Sequence, residues 1–121
     1  MRYLLDTSII SKRDTYAKAR AWILAHQMQI ALPAFIVGEI QRGIEQLTSG
    51  PKRRSLQTLL AELQADFPIL PFDAECAIAW AAYVEHVSRP LPLMDSLIAS
   101  VAIANNLQLV TDNEKDFRSW I

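Results

Sequence analysis

The sequence predicts an α/β domain in which a short parallel sheet is covered by helices on both faces. Three observations carry that prediction. Four short apolar runs are each bounded by turn or cap residues, the pattern of buried parallel strands. Stretches of helical periodicity fill the gaps between them. Strand and helix patterns alternate, which requires crossover connections that pack helices onto the sheet.

The elements follow in order. Residues 2–5 (RYLL) form the first strand, which stops on Asp6. Asp14 or Thr15 then caps a helix reaching about His26, with Ala17, Ala21, Leu24 and Ala25 at helical spacing. Residues 29–32 (QIAL) form the second strand. Pro33 suits the first turn of the next helix, FIVGEIQRGIEQL, which Ser49-Gly50-Pro51 terminates. A third helix runs from Lys52 to about Ala65, with Leu56, Leu59, Leu60 and Leu63 on one face. Residues 68–71 (PILP) hold a very short strand, and Asp73 is an N-cap for an Ala-rich helix reaching about Val87. Beyond the stiff SRPLPL segment, a last helix spans Met94 to about Asn105, and residues 107–110 (LQLV) complete the sheet. No repeat, low-complexity tract or linker interrupts this order, so residues 1–121 read as one domain.

Composition narrows the function classes. Apolar residues make up 51% and charged residues 21% of the 121, a globular balance. Twelve basic and 13 acidic side chains leave a net charge of −1, so nucleic-acid binding would need a local patch. Cys76 is the only cysteine, which excludes an intramolecular disulfide and a thiolate zinc cluster. The chain shows no membrane-length apolar run and no signal-peptide pattern, and a cytoplasmic location is expected.

The acids are distributed in a pattern of their own. Open parallel sheets bind ligands beyond the carboxyl ends of their strands. Asp6 lies just past the first strand, and Asp112, Asn113 and Asp116 lie just past the last. Glu39 is flanked by Phe35, Ile36, Val37 and Ile40, which puts it beside an apolar stripe and off the outer face. Glu45, about 600° further round the helix, points elsewhere. Asp95 is the sole ionisable residue in PLMDSLIASVAIA. Each has a plain structural explanation: turn amides for Asp6, the helix dipole for Asp95, an Arg42 partner for Glu39. Their convergence on one sheet edge favours a site. Clustered carboxylates repel unless a cation holds them. Oxygen donors alone suit Mg²⁺ or Mn²⁺, since His26 and His86 lie on different helices and make no zinc pair. Such ions typically serve phosphate chemistry.

These motifs resemble those of the PIN-domain ribonucleases, and among them the VapC-type toxins of type II toxin–antitoxin systems. YLLDTSII, PAFIVGEIQRGIE and RPLPLMDSLIASVAIANNLQLVTDNEKDF carry the resemblance from one end of the chain to the other. It implies a PIN-like three-layer sandwich with a sheet of about four to five strands. It places an acidic metal pocket on Asp6, Glu39 and Asp95. The fourth position lies in the TDNEKDF loop. Many PIN domains have an acid two residues after the threonine, where this chain has Asn113. The VapC-like pattern has asparagine there and an acid three residues later, which favours Asp116, with Asn113 as a supporting ligand and Asp112 as an acid that the pattern does not require. Ser8 matches a small polar position near the first acid. The implied activity is endoribonuclease hydrolysis of RNA phosphodiester bonds by metal-activated water. The implied partners are an RNA substrate, a cognate antitoxin and a second copy in a homodimer, with DNA reached only through the antitoxin and no membrane.

For RNA, Lys12, Arg13 and Arg42 are candidate local cations; the basic turn Lys52–Arg53–Arg54 is a further one, although it reads more simply as a solvated surface run. Two other phosphate-handling classes fit less well. A haloacid-dehalogenase-type phosphatase needs a second acid where Ser8 stands. A receiver domain needs a phospho-accepting Asp after a middle strand, whereas Asp73 is a helix cap. A non-catalytic PIN-like protein that binds RNA or an antitoxin is the alternative that keeps the same pocket.

Overall fold

The computed structural model describes residues 1–13 and 15–111. Four strands, β1 (Tyr3–Leu5), β2 (Ile30–Pro33), β3 (Ile69–Leu70) and β4 (Gln108–Val110), form one sheet in the order β3-β2-β1-β4. All neighbours are parallel, with Leu4 opposite Ala31 on one side and Leu109 on the other. Six helices cover it: α1 (Thr7–Lys12), α2 (Ala17–His26), α3 (Ala34–Glu45), α4 (Pro51–Asp66), α5 (Ala74–His86) and α6 (Leu93–Ala104).

Strand alternation divides the core in two. Leu5, Ile30 and Leu32 face Ile10, Ile23, Ile36, Leu63 and Phe67 on one side of the sheet. Leu4 and Ala31 face Cys76, Ile98, Val101 and Ala102 on the other. Helices α1 to α4 therefore supply one outer layer and α5 with α6 the second, the three-layer sandwich expected from sequence. Both faces of β1 are buried, with Leu4 and Leu5 at 0% exposure. Burying such a side chain contributes about 1.5–3 kcal/mol, so β1, one of the two inner strands, is a firm base for a functional group at its end.

Four local expectations need correction. The alanine stripe of α2 faces outward: Ala17, Ala21 and Ala25 are exposed and Leu24 is 61% exposed, while Ile23 is buried. The larger pair Trp22–Ile23 outcompetes the alanines for the interior, and Trp22 also stacks on His26 at 4.3 Å. Thr15 does not cap α2, whose N-cap position is Tyr16 without a side-chain bond; Asp14 lies outside the described residues. Pro33 is the last residue of β2, extended at φ −75° and ψ 148°, and so precedes α3 instead of entering it. The basic turn is not simply solvated. Arg53 Nη1 donates to the carbonyls of Ile44 and Leu47, at 3.1 and 3.2 Å, and so satisfies open acceptors where α3 ends. The bend between these helices requires Gly50, whose φ is +105°, followed by Pro51 at the first position of α4.

Candidate active site

Asp6 ends β1 and caps α1. Its backbone N–H bonds the Val110 carbonyl at 3.2 Å, fixing the end of β1 against the end of β4. The side chain is 3% exposed. Its Oδ1 accepts the Ser8 N–H at 3.0 Å, the Ser8 hydroxyl at 2.6 Å and the Ile9 N–H at 3.4 Å. Its Oδ2 accepts the hydroxyl of Thr111, the residue just past β4. The turn explanation for Asp6 thus holds for one oxygen. The other is held from a different strand. α1 itself, absent from the sequence expectation, follows directly from this capped turn.

Thr7 links the next acid. Its hydroxyl donates to Glu39 Oε1 at 3.0 Å, tying α3 to the β1–α1 turn. The Arg42 pairing considered from sequence does not form; Thr7 takes that place. Glu39 is also exposed, contrary to its expected position off the outer face, because Ile36 and Ile44 are the residues that turn inward. Glu45 sits on the outside as expected, bonded by Gln41 Nε2 at 2.7 Å.

Asp95 is half-buried in the first turn of α6. A helix that leads into a parallel strand runs antiparallel to it, so the start of α6 lies at the same edge as the ends of β1 and β4. Ser96, the next residue, accepts the Trp80 Nε1–H at 3.0 Å and donates to the Leu93 carbonyl at 2.6 Å, which fixes this turn against α5. Trp80 and Trp22 are thereby packing residues. Asp112, Asn113, Asp116 and Trp120 lie outside the described residues.

The chemistry of the donors fits a hard divalent cation. A nearly fully buried carboxylate demands compensation, and Asp6 receives hydroxyls and amides but no cationic side chain among the described residues. All candidate ligands are oxygen. Among the described residues no three His, Cys, Asp or Glu side chains stand close enough together to enclose an ion. The acids share an edge without forming a closed cage.

The candidate RNA cations are dispersed. Lys12 Nζ lies 4.9 Å from the centroid of the Tyr16 ring, and Arg42 is exposed on α3. Arg13 turns into a groove of about 840 Å³ together with Arg20, Arg54, Ser55 and Glu62, where its Nη2 is 3.9 Å from Glu62 Oε2. That groove includes none of the acidic set.

A parallel β3-β2-β1-β4 sheet that gathers carboxylates and hydroxyls at its C-terminal edge has the architecture of a PIN domain. The PIN domain family profile matches residues 3–119, and the chain belongs to that family. Within the family it groups with the VapC type. Ribonuclease VapC2 of Rickettsia felis is 30% identical, with 98% of this chain and 91% of the relative covered. Ribonuclease VapC of Rickettsia bellii is 28% identical, with 98% and 90% covered. VapBC2 from Rickettsia felis, bound to a DNA fragment from their promoter, superposes with a TM-score of 0.84 at 26% identity, covering 99% of this chain and 94% of that one. FitAcB from Neisseria gonorrhoeae superposes with a TM-score of 0.83 at 27% identity, covering 97% and 91%.

Proposed function

We propose that this protein is a divalent-metal-dependent endoribonuclease and the toxin of a bacterial toxin–antitoxin pair. The observation that carries the proposal is Asp6, a buried carboxylate with no cationic partner among the described residues, at the sheet edge that Glu39 and Asp95 share. The names of the VapC relatives and the VapBC complexes support it.

Asp6 and Asp95 would hold Mg²⁺ or Mn²⁺, with Glu39 and Asp116 completing the site and Ser8 and Asn113 supporting it. Such an ion, when bound, polarises phosphoryl oxygen and lowers the pKa of water. The protein's own part is positional. Ser8, Ile9 and Thr111 fix the Asp6 carboxylate, so little reorganisation is needed when charge develops beside it. Among the described residues Glu39 commits only Oε1, to Thr7, so Oε2 would face a cation. Lys12 and Arg42 remain candidates for contacts to RNA phosphates, and Arg13 would reach them only from the separate groove.

In this reading the protein acts in the cytoplasm as a homodimer, restrained by a cognate antitoxin that carries it to DNA. No helix among the described residues is long and apolar enough to cross a membrane. A second reading, a PIN-like protein that binds RNA or antitoxin with little catalysis, is favoured by the open arrangement of the acids among the described residues. Incubating purified protein with RNA in Mg²⁺, in Mn²⁺ and in excess chelator separates the two. Endonucleolytic cleavage that chelator abolishes is the expected result. Intact RNA under all three conditions overturns the enzymatic reading.

A further inference from the structure

We propose that the groove between α1, α2 and α4 is a second RNA contact, in which Arg13, Arg20 and Arg54 hold phosphates of a strand that passes over the Asp6 edge. The inference rests on the RNA-cleaving reading above and adds to it a path for the strand away from the cut.

Topology turns the basic end of this groove toward the acids. Helix α2 leads into β2 and α4 into β3, both parallel to β1, so each helix starts on the side where β1 ends. Arg20 and Arg54 each stand at the fourth position of their helix, and Ser55 adds a hydroxyl beside Arg54. The acids of the groove, Glu62 and Asp66, belong to the closing turns of α4, toward the opposite edge. Arg13 ends α1, seven residues beyond Asp6, which at the rise of a helix separates the two by about 10 Å. The groove therefore begins a short step along a nucleic-acid strand from the carboxylates.

The three arginines are open to such a ligand. Arg20 and Arg54 are exposed, and no ion pair or side-chain hydrogen bond among the described residues occupies either. Arg13 Nη1 is buried without a hydrogen-bond partner among the described residues, and Nη2 reaches the exposed Glu62 only at 3.9 Å. A buried donor left open is costly, and a phosphate in the groove would satisfy it once the guanidinium turns outward. Guanidinium forks match phosphate oxygens two at a time. The whole chain carries a net charge of −1, so a polyanion is held only where cations are gathered, and single strands follow such grooves. Position favours RNA over an acidic protein segment, because the substrate must cross the edge toward which these cations are turned.

The test is binding of a fluorescein-labelled single-stranded RNA of about 16 nucleotides, read by fluorescence anisotropy on the intact protein in excess chelator, which separates binding from metal-dependent cleavage. Arg20→Gln/Arg54→Gln is expected to weaken affinity at least about tenfold at an unchanged melting temperature. The slope of log affinity against log salt should fall by about 1.4, two phosphates at about 0.7 each, and each single variant should lose about half of that. Lys18→Gln removes the same charge about 200° round α2 from Arg20 and should bind as the wild type does. Wild-type affinity and slope in the double variant overturn the inference. So does a wild type that does not bind the RNA, or an equal loss in Lys18→Gln and Arg20→Gln. If the double variant keeps RNA but loses poly-glutamate, the groove belongs to an acidic protein segment and the inference fails. RNA bound with the expected slopes but never cut in Mg²⁺ or Mn²⁺ overturns instead the enzymatic reading and leaves the groove as an RNA site.

Discussion

Replacing Asp6 separates what holds the turn from what does the chemistry. Asparagine is as good an N-cap as aspartate, and its amide oxygen can keep the three Oδ1 donors from Ser8 and Ile9. Only the Oδ2 side changes, because an N–H₂ now meets the Thr111 hydroxyl, which must turn to accept. One rearranged hydrogen bond is worth about 1 kcal/mol, and the relief of a buried charge offsets part of it. Asp6→Asn should therefore unfold in urea within about 1 kcal/mol of the wild type. Asp6→Ala removes the cap, at about 0.5–2 kcal/mol, and takes the carboxylate acceptor from the half-buried Ser8 and Thr111 hydroxyls, at about 1–3 kcal/mol. A loss of about 1.5–5 kcal/mol is expected from the two together. RNA cleavage, by contrast, should fall at least about 100-fold in both variants, the usual scale for removing a charged group from a preorganised site. Equal destabilisation by asparagine and alanine would refute the hydrogen-bond account of the turn. A folded Asp6→Asn protein with undiminished cleavage would refute the assignment of the site.

Three further outcomes follow from single residues. Arg53→Ala should lower stability by about 1–3 kcal/mol in thermal or urea unfolding, since it strips the Ile44 and Leu47 carbonyls of their donor; lysine, lacking the planar fork, should rescue only part of the loss. The Cys76 N–H bonded to Asp73 holds that carboxyl below its usual range. Its stabilising effect is therefore present above the unfolded pKa of about 3.9 and lost as pH falls through the lower folded value, so Asp73→Asn should flatten the acid limb of a stability–pH curve below pH ~4. Burial pushes the Cys76 thiol up, and the side chain is 0% exposed, so thiol reagents should modify it at neutral pH only after denaturant is added.

What could be read from the chain depended on how many solutions a pattern allowed. PILP is bracketed by two prolines and Asp73 precedes an unbroken Ala-rich helix, so β3 and α5 emerged where expected. In α2 the alanines and Leu24 offered one apolar face and Trp22–Ile23 another; spacing alone cannot choose between them, and side-chain volume does. Helix α1 was hidden because six residues rich in β-branched side chains carry little periodic signal, while the evidence for it lies in the hydrogen bonds of Asp6. Arg53 looked like one cation in a run of three, and only the closeness of α3 to α4 reveals its acceptors. Of the candidate site, Asp6, Ser8, Glu39 and Asp95 were visible as polar interruptions of apolar segments. Thr7 and Thr111 were not. A hydroxyl beside a strand end is ordinary in sequence, and its importance becomes apparent only when the carboxylate it bonds comes from another strand.

The central claim, that the edge formed by Asp6, Glu39 and Asp95 is a divalent-metal site for cutting RNA, is tested most directly by a crystal structure of catalytically competent protein with Mn²⁺. The account predicts an anomalous-scattering peak within coordinating distance of the Asp6 and Asp95 carboxylates. A Mn²⁺-activated protein that binds the ion elsewhere and leaves Asp6 unligated would contradict it.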